Sequence, residues 1–218
     1  MDLDSTRTKN AYQQIINDFE DRKTQILIGT QMVTKGLDFE NVSLVGILNA
    51  DNMLSFPDFR AHERGYQMIA QVSGRAGRKN KRGKVVIQTY NPNNPIIKQA
   101  LQNNYHAMCN EQLHQRKRFD YPPFSRLIQI TLKHQDPNLL NTAAAYLVHN
   151  LRFLFGKKVF GPEYPIVSRI KNRYLKNVLI KLNRDAFLQK HKYDVESIIK
   201  EFSKVYPAVQ VSLDVDPL

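Results

Sequence analysis

Apolar positions along this chain follow two rhythms that alternate from segment to segment. Tyr12, Ile15, Ile16 and Phe19 recur at i, i+3, i+4 and i+7, which predicts an amphipathic helix over 8–20. Residues 25–29 form a short apolar run without alternation, the mark of a strand covered on both faces as in a parallel sheet. Residues 42–48 and 84–89 read the same way. Between them, 58–73 place Phe59, His62, Tyr66, Ile69 and Val72 on one side of a helix. Strands spaced by helices predict a wound α/β layer. The breaker cluster Asn91-Pro92-Asn93-Asn94-Pro95 closes it. A helical pattern returns over 96–118, carried by Ile97, Ala100, Leu101, Tyr105, Met108 and Leu113.

Tyr121-Pro122-Pro123-Phe124 follows, and two prolines favour an extended connector. A domain boundary is expected there, giving 1–120 and 121–218. The second part reads β-α-β-β-α-β. Residues 126–133 alternate as a strand, and 138–154 are helical through Leu140, Ala144, Leu147, Leu151 and Leu154. Strands are expected over 158–170, interrupted by Gly161, Pro162 and Pro165, and over 174–182. A helix over 185–203 carries Phe187, Tyr193, Ile198, Ile199 and Phe202, and 209–215 alternate cleanly. The plan is a split βαβ, an antiparallel sheet with helices on one face.

Composition narrows the class. An apolar content of 42% over 218 residues suits a globular chain of one large or two small domains. No apolar run approaches the roughly 18 residues that span a bilayer. The first residues lack the apolar stretch of a secretory signal, so a cytoplasmic protein is expected. A single cysteine, Cys109, excludes an internal disulfide and a cysteine-built zinc site. No histidine pair sits at metal-ligand spacing near a suitable acid; His62 and His149 read as helix-packing residues. The net charge of +12 is shared, about +5 over 1–120 and +7 over 121–218. A polyanionic partner such as nucleic acid is the natural inference, against a merely soluble basic protein.

Gln71-Val72-Ser73-Gly74-Arg75-Ala76-Gly77-Arg78 holds the densest candidate chemistry. If the helix before it continues, the amide and the two guanidinium groups share a face. Glycines 74 and 77 let another surface come close, and arginine forks suit phosphate oxygens. A basic helix end followed by a turn is the other reading of the spacing. Lys79, Lys81, Arg82 and Lys84 continue the basic stretch, as a solvated loop or a DNA contact. Glu63 reads as part of a structural ion pair with Arg60 or a neighbouring helix, and Asp51 stands at a strand end. A second basic concentration runs from Lys157 to Lys181, with Lys158, Arg169, Lys171, Arg173, Lys176, Tyr164 and Tyr174. Cations with interleaved aromatics suit a single-stranded backbone or stacked bases. No Gly-x-x-x-x-Gly-Lys-Ser/Thr phosphate loop occurs.

Gln-x-x-Gly-Arg-x-Gly-Arg is similar to motif VI of superfamily 2 helicases, and Ile26 to Phe39 resembles motif V. The longer wording, with Phe56-Pro57-Asp58-Phe59-Arg60-Ala61-His62-Glu63-Arg64-Gly65-Tyr66-Gln67 and Tyr121-Pro122-Pro123-Phe124, resembles the C-terminal third of the PriA family of replication-restart helicases. The resemblance implies an α/β fold: a partial parallel-sheet RecA-like helicase lobe 2, then a small α+β domain of split βαβ, ferredoxin/S10-like plan. It implies that Arg78 is an arginine finger, with Arg75 its companion and Gln71 sensing phosphate. Gly36 and Asp38 would face ATP; Lys35 reads as part of the same stretch or as a solvated surface lysine. Thr30 and Gln31 would contact DNA, joined by Lys171 in the second domain. Arg173 and Asn177 match positions that receive the C-terminal tail of single-stranded DNA-binding protein. ATP and Mg2+ would be held mainly by a lobe 1 that this chain lacks, and zinc only by a cysteine-rich region outside it. The implied partners are forked and single-stranded DNA, that tail and other primosome proteins, with no membrane. Alone, the chain is expected neither to hydrolyse ATP nor to unwind DNA. The alternatives are another superfamily 2 DNA motor and a non-catalytic nucleic-acid-binding module.

Overall fold

A helix over Lys9–Glu20 (α1) opens the computed structural model, which describes residues 9–30, 42–74, 83–184 and 187–217. Ile16 is buried on α1, while Tyr12, Ile15 and Phe19 are half-buried. Residues 25–29 do not form the expected strand: Ile26 is 78% and Ile28 71% exposed. Their apolar run finds no ladder partner among the described residues, and a strand persists only when its backbone is paired. The parallel sheet that does form has two strands, β1 (Leu44–Ile47) and β2 (Lys84–Ile87), in register from Leu44 opposite Lys84 to Ile47 opposite Ile87. Four helices accompany it: α2 (Ala50–Leu54), α3 (Ala61–Ser73), α4 (Pro95–Leu101) and α5 (Tyr105–Arg118).

Packing explains these boundaries. Ile47 and Ile87 lie against a core of Ala50, Leu54, Tyr66, Ile69, Ile96, Ile97, Ala100 and Met108. The α2 helix was hidden because its only deeply buried side chains are Ala50 and Leu54. It lies close to α3 at Gly65, where a Cβ would stand 2.4 Å from Leu54 Cδ2. The pattern over 96–118 breaks in two. Asn103 takes a left-handed φ of 53°, which asparagine tolerates, and Asn104 Oδ1 accepts from Ala107 N to start α5. At the head of α4, Asn94 accepts from Ile96 N ahead of Pro95. On the other side of these strands Leu44 is 58%, Leu48 74% and Val86 56% exposed.

The chain divides into compact units at residues 1–113 and 114–218, within α5. The second unit runs β3 (Ser125–His134), α6 (Pro137–Phe155), a 3-10 turn, β4 (Val159–Glu163), β5 (Arg169–Ile170), β6 (Arg173–Asn183), α7 (Leu188–Val205) and β7 (Gln210–Val215). Its sheet is antiparallel in the order β4-β6-β3-β7, with β5 paired to β6. The stretch over 158–170 is therefore two strands. Gly161 turns it at φ 94°, where a Cβ would lie 2.7 Å from the Asn177 carbonyl oxygen. Ile128, Ile130, Leu132, Val178, Ile180 and Leu182 pack with Leu140, Leu147, Leu151, Val195 and Phe202. Asp136 caps α6 by accepting from Asn138 N. His149 corrects the expectation of helix packing: it faces solvent, one step past buried Leu147 and Val148. Leu154, Phe187 and Tyr193 are also exposed, their places in the core taken by Phe155 and Val195.

Candidate nucleic-acid interface

On the first unit, Gln71 is exposed near the C-terminus of α3, with Tyr66, Ile69 and Val72 facing the core. The helix ends at Ser73, and Gly74 caps it with its N–H on Ala70 O. The remainder of the expected helical face over 71–78 lies outside the described residues. Arg75, Arg78, Lys79, Lys81 and Arg82 lie outside them, as do Gln31, Lys35, Gly36 and Asp38. Thr30 is exposed at the end of a described stretch and Lys84 is exposed on β2. In the acid-base cluster upstream, Arg64 Nη1 lies 2.8 Å from Asp58 Oδ2, and Gln67 Nε2 donates to Glu63 at 3.5 Å.

Asp51 has a structural task. Its carboxylate accepts from Thr89 Oγ1 at 2.9 Å and from Tyr90 N at 2.8 Å, tying α2 to the turn after β2. The Tyr90 N–H foremost holds this carboxyl below the ordinary aspartate value, with Thr89 adding to it against desolvation.

On the second unit, β6 carries the candidates. Residues directly paired across strands share a sheet face. By register, Arg173, Leu175, Asn177, Leu179 and Lys181 of β6 share a face with Lys133, Thr131 and Gln129 of β3. Gln210, Ser212 and Asp214 of β7 share it too, opposite the one that packs on the helices. Arg173 Nη1 donates to Gln210 Oε1 at 3.0 Å, and Thr131 Oγ1 donates to Asn177 Oδ1 at 3.0 Å. The structure thus brings Arg173 and Asn177 onto one face, about 13 Å apart along the strand. Lys171 stands apart from both, in the β5–β6 turn, exposed and left-handed at φ 47°. Sequence reasoning missed Gln210, whose only signal is its place at the start of a cleanly alternating strand.

The face is closed at one end. Lys181 is buried at 9% exposure, and its Nζ donates to Phe119 O at 2.7 Å. The ammonium sits 3.6 Å from the Tyr121 ring centroid and 4.9 Å from that of Phe160. Burial pushes this lysine below its ordinary pKa, partly offset by Asp120. The other cations of the region are more open. Arg169 stacks on Tyr174 at 5.0 Å and Lys176 on Tyr164 at 4.2 Å. Among the described residues no cluster of three or more His, Cys, Asp or Glu is placed to hold a metal ion. No described helix is long and apolar enough to cross a membrane.

Two protein families match consecutive parts of the chain. Residues 1–80 match the helicase conserved C-terminal domain, and 117–218 match the primosomal protein N C-terminal domain. The replication restart protein PriA of Bacillus subtilis (strain 168) is 37% identical over 220 residues, covering 100% of this chain and 27% of that protein. The PriA proteins of Synechocystis and Haemophilus influenzae are 35% and 36% identical, again over 100% of this chain and over 26% and 30% of their own lengths. The chain therefore spans between a quarter and a third of the length of these relatives. With both halves matched in order and identity held from end to end, the chain belongs to the PriA replication-restart family, as its C-terminal portion.

Proposed function

We propose that this chain supplies the second half of a nucleotide-driven motor, and a small DNA-binding domain, to an ATP-dependent 3′-to-5′ DNA helicase. That helicase would act in primosome assembly and replication restart at stalled forks, in the cytoplasm. The observation that carries the reading is identity to PriA proteins along the whole chain. Residues 1–120 would be part of a RecA-like lobe 2 and 121–218 a split βαβ, ferredoxin/S10-like domain. The strand order β4-β6-β3-β7 around two crossover helices supports that plan.

In this reading Arg78 stabilises charge that grows on the transferred phosphoryl group, with Arg75 and Gln71 beside it. Gly36 and Asp38 meet ATP. The exposed position of Gln71 past the buried stripe of α3 supports a role outside the core. ATP with Mg2+ supplies the driving chemistry when bound, and the phosphate loop would come from sequence outside this chain, as would any zinc site. Thr30, Gln31 and Lys171 contact DNA, while Arg173 and Asn177 receive the tail of single-stranded DNA-binding protein. The 218 residues alone neither hydrolyse ATP nor unwind DNA. The test is Arg78→Ala in the longer protein that contains this chain. DNA-stimulated ATP hydrolysis is expected to fall by about 10³-fold or more, with DNA affinity nearly unchanged. Wild-type turnover would remove Arg78 from the mechanism.

A further inference from the structure

The β5–β6 hairpin combines features that a solvated turn does not need. Ile170 pairs with Arg173, so Lys171 and Asn172 form a two-residue turn, and both have positive φ, 47° and 62°. Such turns favour Asn-Gly or Gly-Gly, because a side chain with a full Cβ is strained there. Here the first position is a lysine, held in an unfavourable conformation at the tip. Strain at an exposed charged residue points toward use of that residue. The turn is braced from within, since Arg169 donates to the Asn172 side chain while its guanidinium lies on the Tyr174 ring.

Apolar side chains stand exposed on β5 and on the loop just before it. Ile166 is 77%, Val167 59% and Ile170 49% exposed. The loop that carries the first two is anchored at both ends: Tyr164 Oη donates to Asn141 Oδ1 at 3.0 Å, and Leu175 N donates to Ser168 O at 2.9 Å. From Tyr164 to Arg184 the sequence has six cations and no acid. Lys176, resting on the Tyr164 ring, adds a second cation whose freedom is already restricted. Branched aliphatic side chains exposed on an anchored loop and the strand after it, among cations with no acid, match the needs of a wedge. Apolar wedges enter between base steps and unstack them, while flanking cations hold the phosphates.

We propose that this hairpin is a base-separating wedge that works where duplex DNA opens. Ile166, Val167 and Ile170 press against the last stacked base pair, and Arg169, Lys171 and Lys176 grip the phosphates on either side. The proposal rests on the nucleic-acid reading above and adds to it a place on the DNA and a mechanical action.

The test uses the 218-residue chain and forked DNA with 2-aminopurine replacing adenine in the last base pair of the duplex arm. Binding is followed by anisotropy and unstacking by 2-aminopurine fluorescence. Fluorescence is expected to rise severalfold on binding. The triple variant Ile166→Ser, Val167→Ser, Ile170→Ser is expected to lose that rise while its affinity stays within about threefold, because phosphate contacts dominate affinity. Lys171→Asn, whose new side chain suits the left-handed turn, is expected to keep the circular dichroism spectrum and to bind several times more weakly. A full fluorescence rise in the triple variant overturns the wedge and leaves the DNA reading standing. Absence of any anisotropy change with wild-type chain overturns both. Binding to phosphatidylserine vesicles with none to the fork would assign the patch to membranes and overturn the proposal.

Discussion

Lys181 shows how much a single residue can decide. Its stem lies in the sheet, and its ammonium is enclosed by two rings and one carbonyl. Because burial lowers the folded-state pKa, the folded chain binds fewer protons than the unfolded one in the window between the lowered and the ordinary lysine value. Stability is therefore expected to rise with pH across that alkaline window. Lys181→Met should flatten this rise, as measured by denaturant unfolding at a series of pH values. Lys181→Ala should cost about 1–2 kcal/mol through lost ring contacts and stem packing. An unchanged pH profile in the methionine variant would show that the ammonium carries no burial cost. None of this was legible beforehand, since Lys181 read as one cation among seven in a basic stretch. What betrays it is contact with Phe119 and Phe160, separated in sequence and joined only by folding.

At the scale of the element, β6 is the organising strand of the second unit. It pairs with β3, β4 and β5, and alternation sends Val178, Ile180 and Leu182 to the core and Arg173 and Asn177 to the other face. The alternating pattern made this strand readable, and with it the likeness of residue types at 173 and 177. The sequence did not disclose Arg173 bonding Gln210, because strand order is a long-range property. The spacing of Arg173 and Asn177 suits an extended peptide of about four residues ending in a carboxylate, which arginine can grip. Arg173→Glu is expected to weaken binding of the acidic tail peptide of single-stranded DNA-binding protein at least tenfold, measured by isothermal titration. Unchanged affinity would place the peptide elsewhere. At 25–29 the apolar run is strand-like in sequence, yet no strand is formed there.

Across the whole molecule the two units have unequal means of holding together. The second has a four-strand antiparallel path packed on two long helices, with Ile130, Leu132, Leu140 and Leu147 wholly buried. Among its described residues the first has a two-strand sheet, with Leu44, Leu48 and Val86 exposed on or beside it. Parallel sheets usually have both faces covered. A calorimetric scan of the 218-residue chain is therefore expected to show two transitions, the first unit melting at the lower temperature. Ile69→Ala should lower only the first and Ile130→Ala only the second, each by about 2–5 kcal/mol of stability. One cooperative transition shifted equally by both variants would refute this. The alternation of strands and helices pointed to a mixed α/β chain, but the run at 25–29 forms no strand and α2 carries no pattern that announces it. The motif ending in Arg78 was legible only as spacing and likeness, and Arg75 and Arg78 lie outside the described residues.

The enclosure of Lys181 also bears on how the chain would carry load. The backbone leaving α5 meets the sheet through the Phe119 carbonyl and the Tyr121 ring, both fastened to one side chain. A pull along α5 toward β3 would reach that fastening before it reached any ladder hydrogen bond of β3. Lys181 would then share the mooring of the six-residue tether over 119–124 with Arg116 on Pro122 O, Arg184 on Pro123 O and Ser125 on Asp120 O, so that load entering there is spread over several side chains.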